Sequence, residues 1–180
     1  MKYNMKDDIE EILLSEKDLQ KAVKKLGKQI SADYEGKNLM LVAVLKGSVI
    51  FMADLMRAIT IPISIDFMSV SSYGNSSVSS GKIIMKKDLE ESIVGKNVIV
   101  IEDIVDTGRT LSYLLDNLRQ RNPKSLKLCA LLDKPDRRVV DINADYTGFE
   151  IPDLFVVGYG LDYAQRYRNL PYVGVLEVEE

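Results

Sequence analysis

Three carboxylates and a hydroxyl-rich turn follow one another in VIVIEDIVDTGRT, residues 98–110. Glu102 and Asp103 come near the end of an apolar run, Asp106 follows, and a helical pattern begins at Thr110. Carboxylates at the carboxyl end of a buried strand lie where open α/β sheets bind ligands. The turn 106–110 combines a glycine, two hydroxyls and the N–H groups of a helix start. This combination predicts a phosphate site supported by the helix dipole.

The same segment has a simpler interpretation, in which the two acids are solvated strand-end charges and Thr107 is a helix cap. That interpretation is the usual one for an arbitrary acidic pair, but here the acids stand directly on the phosphate-type turn. The turn is not a Walker A loop, because the spacing G-x-x-x-x-G-K-[ST] is absent.

The chain contains no histidine, which restricts the chemistry that it can perform. Nucleophile pairs that rely on histidine are excluded, and so is the commonest ligand of transition metals. Acid–base work falls to carboxylates, lysine or tyrosine, and a metal held by carboxylates is a hard cation such as magnesium. The single cysteine, Cys129, lies in the apolar run LKLCALL and is expected to be buried. Without a second cysteine there is no disulfide, and a reducing, cytoplasmic setting is expected.

Alternating strand and helix patterns predict an α/β fold with a largely parallel sheet. Strands buried on both faces are expected where apolar runs lack alternation, at 39–45, 97–105, 126–132 and 153–160, with a further strand at 61–70. Helices are expected at 48–59 and 110–121, and a first helix is expected from an N-cap at Ser15, with Asp18 as its partner, to a stop at Gly36.

The serine-rich stretch 69–81, SVSSYGNSSVSSG, could be a linker between two domains or a mobile loop within one. A cut there would leave a front piece with about two buried strands, too few to cover a parallel sheet. A chain of 180 residues also favours one domain. We therefore predict one domain with a mobile loop.

Charge and hydropathy argue against two classes of partner. The net charge of −3 argues against a dedicated nucleic-acid binder. No apolar run reaches the roughly 18–20 residues that cross a bilayer, so no membrane span is expected.

The order of two acids, two apolar residues and then D-T-G-x-T resembles the phosphoribosyl diphosphate signature of the type I phosphoribosyltransferases. The resemblance extends over roughly residues 9–178, and within the family it is to the bacterial enzymes that use hypoxanthine and guanine. It implies a central, mainly parallel sheet flanked by helices in a single domain, 1–180. A small hood would be built from the chain ends, about 1–14 and 150–180, and a mobile lid would span 69–81.

The resemblance also implies the substrates, phosphoribosyl diphosphate and a 6-oxopurine, the cofactor Mg²⁺, and the residues that bind them. Asp106 is implied as the general acid/base that faces the purine N7. The residues implied for pyrophosphate are Lys46, Gly47, Ser72, Tyr73 and Arg168, and a cis peptide is implied at Leu45–Lys46. Those implied for ribose and its 5′-phosphate are Glu102, Asp103, Asp106, Thr107, Gly108, Arg109 and Thr110. Those implied for the purine are Ile104, Lys134, Phe155, Val156 and Asp162, and those for magnesium are Glu102, Asp103 and Asp162.

The implied role of Lys134 carries a choice of base, because lysine only donates hydrogen bonds. It would favour the 6-oxo group of hypoxanthine or guanine over the 6-amino group of adenine. By itself, a lone lysine at a strand end is as often a solvated charge, and Phe155 in an apolar run is more often a core residue.

Two alternatives remain open at the level of the sequence. One is an enzyme of the same fold that acts on xanthine or another base. The other is a regulator that senses nucleotides on this fold, which could lose its catalytic acid and should carry a basic face; here Asp106 is present and the net charge is acidic. The resemblance further implies a cytoplasmic homodimer or homotetramer.

Overall fold

Two sheets and three helices make up the computed structural model, which describes residues 5–72 and 83–176. The helices are α1 (Glu16–Asp33), α2 (Val49–Ala58) and α3 (Arg109–Arg119). The strands are β1 (Ile9–Leu14), β2 (Leu39–Leu45), β3 (Ile63–Ser72), β4 (Ile83–Lys87), β5 (Asn97–Val105), β6 (Ser125–Asp133), β7 (Tyr146–Glu150), β8 (Val156–Val157) and β9 (Val173–Leu176). Short 3₁₀ turns cover Met5–Asp8 and Pro135–Arg137.

The larger sheet has six strands in the order β4-β3-β2-β5-β6-β7. All neighbours are parallel except β4, which runs antiparallel to β3 at one edge. The predicted strands at 39–45, 97–105 and 126–132 form the centre of this sheet. The prediction of an α/β fold with a mainly parallel sheet is therefore confirmed.

The two faces of the sheet build two hydrophobic cores. Leu41 of β2 contributes to the core under α1 and α2, while its neighbours Met40 and Val42 contribute to the core under α3. This alternation is the two-residue period of a strand, and burial on both sides explains why β2 contains no polar residue. Each buried aliphatic side chain stabilises the fold by about 1.5–3 kcal/mol relative to exposure.

Helix α1 begins as its sequence predicts. Ser15 caps it, its hydroxyl accepts from the Asp18 N–H, and the Asp18 side chain accepts from the Ser15 N–H at 3.0 Å in a capping box. The helix ends at Asp33 rather than continuing to Gly36, which adopts φ +70° in the turn that follows. Helices α2 and α3 match their predicted ranges to within two residues at each end.

The predicted buried strand at 153–160 is wrong for most of its length. Within it only β8 is extended, and β8 belongs to a separate antiparallel sheet of order β1-β9-β8. Gly158, Tyr159 and Gly160 all have positive φ, which turns the chain out of the strand. The run is apolar because Val156 and Tyr159 pack in the main core and Val157 packs in a smaller cluster, and burial alone does not distinguish a strand from a buried turn.

Several further elements lay outside the sequence prediction. Strands β4, β7 and β9 are short, and the burial of β4 alternates with exposure. Strand β3 continues to Ser72, so the first four residues of the predicted loop 69–81 are extended. The rest of that loop, including Tyr73, lies outside the described residues. Among the described helices, none has the length and apolar composition needed to cross a membrane.

Candidate active site

Strand β5 carries two acids to the carboxyl edge of the sheet, where their carboxyl groups are enclosed. Glu102 keeps some surface as a residue, but its Oε2 is sealed from solvent and has no hydrogen-bond partner among the described residues. The Asp103 carboxylate accepts the Ile104 N–H at 2.8 Å. An unpartnered buried polar atom is costly, so this pair is suited to a ligand rather than to packing.

Burial dominates the electrostatics of the pair. It raises the pKa of Glu102 well above its usual value, and the neighbouring Asp103 adds to the rise. Burial also raises the pKa of Asp103 to about 6, although backbone N–H groups and the Arg168 guanidinium oppose the rise. A cation or a set of hydroxyl donors placed here would stabilise both anions.

Three backbone segments meet beside Asp103. A Cβ added to Gly47 would lie 1.6 Å from Asp103 Oδ2, and one added to Gly160 would lie 2.0 Å from the Gly47 carbonyl oxygen. Gly160 also has φ +105°. Only glycine fits either position. The two glycines thus form a path of bare backbone, the glycine path, from the acid pair to the loop 158–172 between β8 and β9, called the C-terminal loop below. The Leu45–Lys46 peptide bond, directly before Gly47, is cis, as the resemblance implied.

The C-terminal loop brings Arg168 and Asp162 to this path. One guanidinium nitrogen of Arg168 donates to the Gly160 carbonyl at 2.7 Å, and another pairs with Asp162 Oδ1 at 2.6 Å. The second Asp162 oxygen accepts the Gln165 N–H at 2.8 Å. Lys46 reaches the same loop, because its Nζ lies 3.3 Å from Gln165 Oε1. The segments that carry Lys46, Gly47 and Arg168, three of the predicted pyrophosphate residues, are therefore in contact with one another.

The turn 106–110 encloses a cavity at the start of α3. Gly108 is the N-cap with φ +81°, and a Cβ there would meet Ile142 at 2.5 Å, so the turn depends on glycine. The first turn of α3 contains no acid, which leaves its positive dipole end uncompensated. Thr107, Thr110 and Ile104 line the cavity together with Glu102 and Asp106. Arg109 is exposed and does not line it.

Two arginines that sequence reasoning missed hold this turn. Arg137 Nε donates to Asp106 Oδ1 at 3.2 Å. Arg138, which is largely buried, donates to the Asp106 carbonyl and to the Asp133 carboxylate at the end of β6. The run DKPDRR contained a signal in its paired arginines, but their partner lies about 30 residues earlier and only the fold brings them together.

Lys134 lies at the carboxyl end of β6, two strands from the Gly47 loop. It is 7% exposed, which argues against a solvated charge. Its Nζ donates to the Leu154 carbonyl at 2.5 Å and lies 3.7 Å from Asp153 Oδ1. Arg137 links this region to Asp106, because its guanidinium is also 3.6 Å from Asp153.

Phe155 and Val156 follow this contact along the chain. Val156 is buried in β8. Phe155 is 45% exposed, and its ring meets Tyr163 edge to face, with centroids 5.5 Å apart. A core aromatic would be enclosed, so the exposure of Phe155 favours a role in binding over a role in packing. Tyr163, another residue that sequence reasoning missed, is equally accessible.

The predicted metal residues fit magnesium in part. Glu102 and Asp103 offer carboxylate oxygens, one of them buried without a partner, which suits a hard cation. Both oxygens of Asp162 already have partners. Among residues 5–72 and 83–176, no three acidic, cysteine or histidine side chains converge as a ligand set. Magnesium commonly uses one or two carboxylates and takes its other ligands from water and substrate phosphates.

Two predicted residues, Ser72 and Tyr73, lie where the first described range ends. Ser72 is the last residue of β3, and Tyr73 lies outside the described residues. The others gather in the three neighbouring groups described above: the acid pair with the glycine path, the turn with its arginines, and Lys134 with Phe155.

Comparison with known proteins gives the family. The family model described as the phosphoribosyl transferase domain matches residues 10–164. A hypoxanthine-guanine phosphoribosyltransferase of Bacillus subtilis is 55% identical over 96% of this chain and 96% of its own. A crystal structure of a hypoxanthine phosphoribosyltransferase from Staphylococcus aureus superposes with a TM-score of 0.94 at 51% identity, covering 98% of this chain and 96% of that one.

A longer relative contains a segment similar to this chain. The bifunctional protein TilS/HprT of Listeria monocytogenes is 54% identical over 98% of this chain. The chain spans 27% of the length of that protein.

Proposed function

The chain belongs to the phosphoribosyl transferase family, and we propose that it transfers the phosphoribosyl group of 5-phospho-α-D-ribose 1-diphosphate (PRPP) to hypoxanthine and guanine. The products would be IMP or GMP and pyrophosphate, which is a purine salvage reaction. The names and near full-length identity of the relatives from B. subtilis and S. aureus support this choice of substrates.

One observation carries the proposal. The buried acid pair on β5 runs directly into the glycine-capped turn at the positive end of α3. Carboxylate acceptors for ribose hydroxyls thus lie in the same cavity as the turn whose N–H groups could bind a phosphate. A structural acid pair would have partners within the protein, whereas Glu102 Oε2 has none among the described residues.

The reaction would proceed by displacement at C1 of the ribose. The C1–O bond to pyrophosphate breaks as the purine N9 bonds to C1, so the sugar gains cationic character and the leaving group gains negative charge. Lys46 and Arg168, which surround the glycine path, would stabilise the leaving group. Asp106, which is half-exposed beside the phosphate turn, would accept the N7 proton, and such general-base help contributes about 10²–10⁴-fold.

Magnesium would be held by Glu102 and Asp103 together with substrate oxygens. When bound, it would neutralise part of the charge on the diphosphate. The acids would have a second task in orienting the ribose hydroxyls, because a carboxylate accepts several hydrogen bonds. Asp162 is proposed as a third acid on the magnesium side. Its carboxylate pairs with the Arg168 guanidinium at 2.6 Å.

The choice of base would rest on Lys134. Its buried Nζ is held by the Leu154 carbonyl, so it is a fixed donor rather than a mobile charge. The 6-oxo group of hypoxanthine or guanine accepts from such a donor, and the 6-amino group of adenine does not. The exposed face of Phe155 would stack on the base, with backbone contacts from Val156.

An assay of the purified protein tests the proposal directly. PRPP and magnesium are supplied with hypoxanthine, guanine, xanthine or adenine, and nucleotide and pyrophosphate are quantified. We expect turnover with hypoxanthine and guanine and little with adenine. Lys134→Ala should reduce use of the purine far more than binding of PRPP. No nucleotide from any base would reject the enzymatic function.

The architecture around the site is part of the same proposal. We assign residues 1–180 to one domain, with a hood from about 1–14 and 150–180 and a lid over 69–81. Pairing of β1 with β9, near opposite ends of the chain, supports the hood. We also propose a cytoplasmic homodimer or homotetramer, which light scattering of the purified protein would test; the lone Cys129 is buried and free, in keeping with a reducing compartment.

A further inference from the structure

We propose that Asp54, acting through the hydroxyl of Tyr159, is a positioning residue for the pyrophosphate side of the site. This inference rests on the proposed function, since it assigns Asp54 a share in PRPP binding. Asp54 lies in α2 and borders a cavity that Arg168 also lines. No pattern in the sequence singled it out.

The contact itself is well defined. Tyr159 is 6% exposed, its ring packs in the main core, and its hydroxyl donates to Asp54 Oδ2 at 2.5 Å. The other Asp54 oxygen accepts from Arg57, which is largely exposed. A buried hydroxyl paired with a carboxylate is a strong, directional bond. It joins the C-terminal loop to the helix that begins three residues after Lys46.

The backbone at Tyr159 needs an external support. Tyr159 has φ +50° and stands between Gly158 and Gly160, whose φ values are +96° and +105°. A non-glycine residue in the left-handed region persists only where its surroundings hold it. The loop supplies part of that support, because the Tyr159 N–H donates to the Leu170 carbonyl at 2.9 Å. From outside the loop, the residue is supported by the packing of its ring in the core and by the bond to Asp54.

The orientation of this turn determines the positions of the residues that are proposed to bind pyrophosphate. The Gly160 N–H donates to the Arg168 carbonyl at 3.0 Å, and the Gly160 carbonyl accepts from the Arg168 guanidinium. Gly160 also presses on the Gly47 carbonyl. A shift of Tyr159 therefore moves Arg168 and opens the contact with the Lys46–Gly47 loop. Asp54, Tyr159 and Arg168 border one cavity, so the three groups are adjacent in space.

A second tyrosine provides a matched control. Tyr146 is 5% exposed, and its hydroxyl donates to Asp33 Oδ2 at 2.7 Å, joining β7 to the end of α1. Like Tyr159, Tyr146 is a buried tyrosine whose hydroxyl donates to an aspartate. Its contact lies at the amino-terminal side of the sheet, near the start of β7. If a buried tyrosine–aspartate bond contributes only stability, Tyr146→Phe and Tyr159→Phe should behave alike.

The test compares steady-state kinetics of Tyr159→Phe, Asp54→Ala, Asp54→Asn and Tyr146→Phe. We expect the first two to raise the KM for PRPP about tenfold, the size of one lost bond to a charged group, and to leave the KM for the purine nearly unchanged. Asp54→Asn keeps an acceptor oxygen and should restore most of the PRPP affinity. Tyr146→Phe should lower the Tm as much as Tyr159→Phe does, with unchanged KM values. Equal kinetic effects of the two Phe variants, or none, would overturn the inference.

A readout without catalysis separates this inference from the proposed function. Amide hydrogen exchange at Tyr159 and Gly160 is measured in the protein without substrates. We expect faster exchange in Tyr159→Phe and Asp54→Ala than in wild type, and wild-type exchange in Tyr146→Phe. Unchanged exchange in the first two variants rejects the anchoring even if the wild type is an active enzyme. A wild type that forms no nucleotide rejects the function, and the exchange rates still decide whether Asp54 holds the loop.

Discussion

Buried carboxylates occur on two strands that both neighbour β2, and they are treated in opposite ways. On β3, Asp66 is 5% exposed, and its oxygens accept the N–H groups of Phe67 at 2.7 Å and Glu90 at 2.8 Å. On β5, Glu102 and Asp103 are half-buried as residues, yet Glu102 Oε2 is sealed from solvent and has no partner among the described residues. Asp66 ties the segment after β4 to the sheet, whereas the β5 pair faces an opening.

Hydrogen-bond partners within the protein distinguish a structural acid from an acid that is available to a ligand. Hydrogen bonds to backbone N–H groups compensate for the loss of water around Asp66. Glu102 Oε2 accepts no such bond within the described part of the chain, and burial raises the pKa of Glu102 well above its usual value. A fold that retains an uncompensated charge sacrifices stability for function. Substitutions at the two places should therefore separate activity from stability.

The largest effect is expected from Asp103→Asn. The amide keeps the acceptor for the Ile104 N–H but removes the charge that faces ribose and magnesium. We expect kcat/KM to fall about 10²–10³-fold, the range for loss of one preorganised electrostatic group. The Tm should not fall, because a buried charge with few partners is lost. Steady-state kinetics with PRPP and thermal unfolding measure the two effects; near-normal turnover would make Asp103 a structural acid like Asp66.

The second effect is the pH dependence of the unfolding free energy, compared between the wild type and Asp103→Asn. Between pH 4 and 6 the folded protein retains a proton on Asp103, whose pKa is raised to about 6, while the unfolded chain has lost it. The contribution of Asp103 to stability is thus present at low pH and is lost as the pH rises through this window. Relative to Asp103→Asn, the wild type should lose about 2–3 kcal/mol of unfolding free energy across it.

Urea unfolding of both proteins with EDTA at several pH values measures this difference. A wild type that instead gains stability relative to the variant as the pH rises from 4 to 6 would show that Asp103 is well compensated. In that case the contrast with Asp66 would not exist.

Asp66→Asn should give the reverse of Asp103→Asn. Asp66 Oδ2 accepts from Glu90 and Glu91, and an amide NH₂ placed there would face two donors. We expect a loss of about 2 kcal/mol of unfolding free energy, or about 4–8 °C in Tm, with kcat unchanged. Thermal unfolding and kinetics of the same preparation provide both numbers. A large fall in kcat without a change in Tm would reverse the assignment of roles.

The sequence alone predicted those parts of the site whose signals are local. The run from Glu102 to Thr110 contains its strand end, turn and helix start within nine residues, and the capping box at Ser15 spans four. The hydrogen bond from the Glu90 N–H to the Asp66 carboxylate was not predictable, because Glu90 follows 24 residues later and comes close only when β4 pairs with β3.

Long-range contacts account for what sequence reasoning missed or misjudged. The approach of Gly160 to Gly47 joins segments more than one hundred residues apart, and the pairing of Arg137 with Asp106 depends on β5 and β6 being neighbours. The apolar run 153–160 misled for a related reason. Its burial comes from the main core, which contains Val156 and Tyr159, and hydrophobicity alone predicted a strand where glycines make a turn.

The smallest effect on stability is expected at Asp106, an acid of a third kind that is 44% exposed and paired with Arg137. Asp106→Asn should lower kcat at least about tenfold, equivalent to about 1.4 kcal/mol, because the amide cannot accept the N7 proton. Substrate affinity and Tm should change little, since neither burial nor backbone hydrogen bonds at this side chain are lost. Asp116→Asn, which removes an exposed acid paired with Arg119 on α3, is the control and should retain wild-type kcat. Normal turnover in Asp106→Asn would exclude it as the base and leave the acid pair on β5 as the remaining catalytic carboxylates.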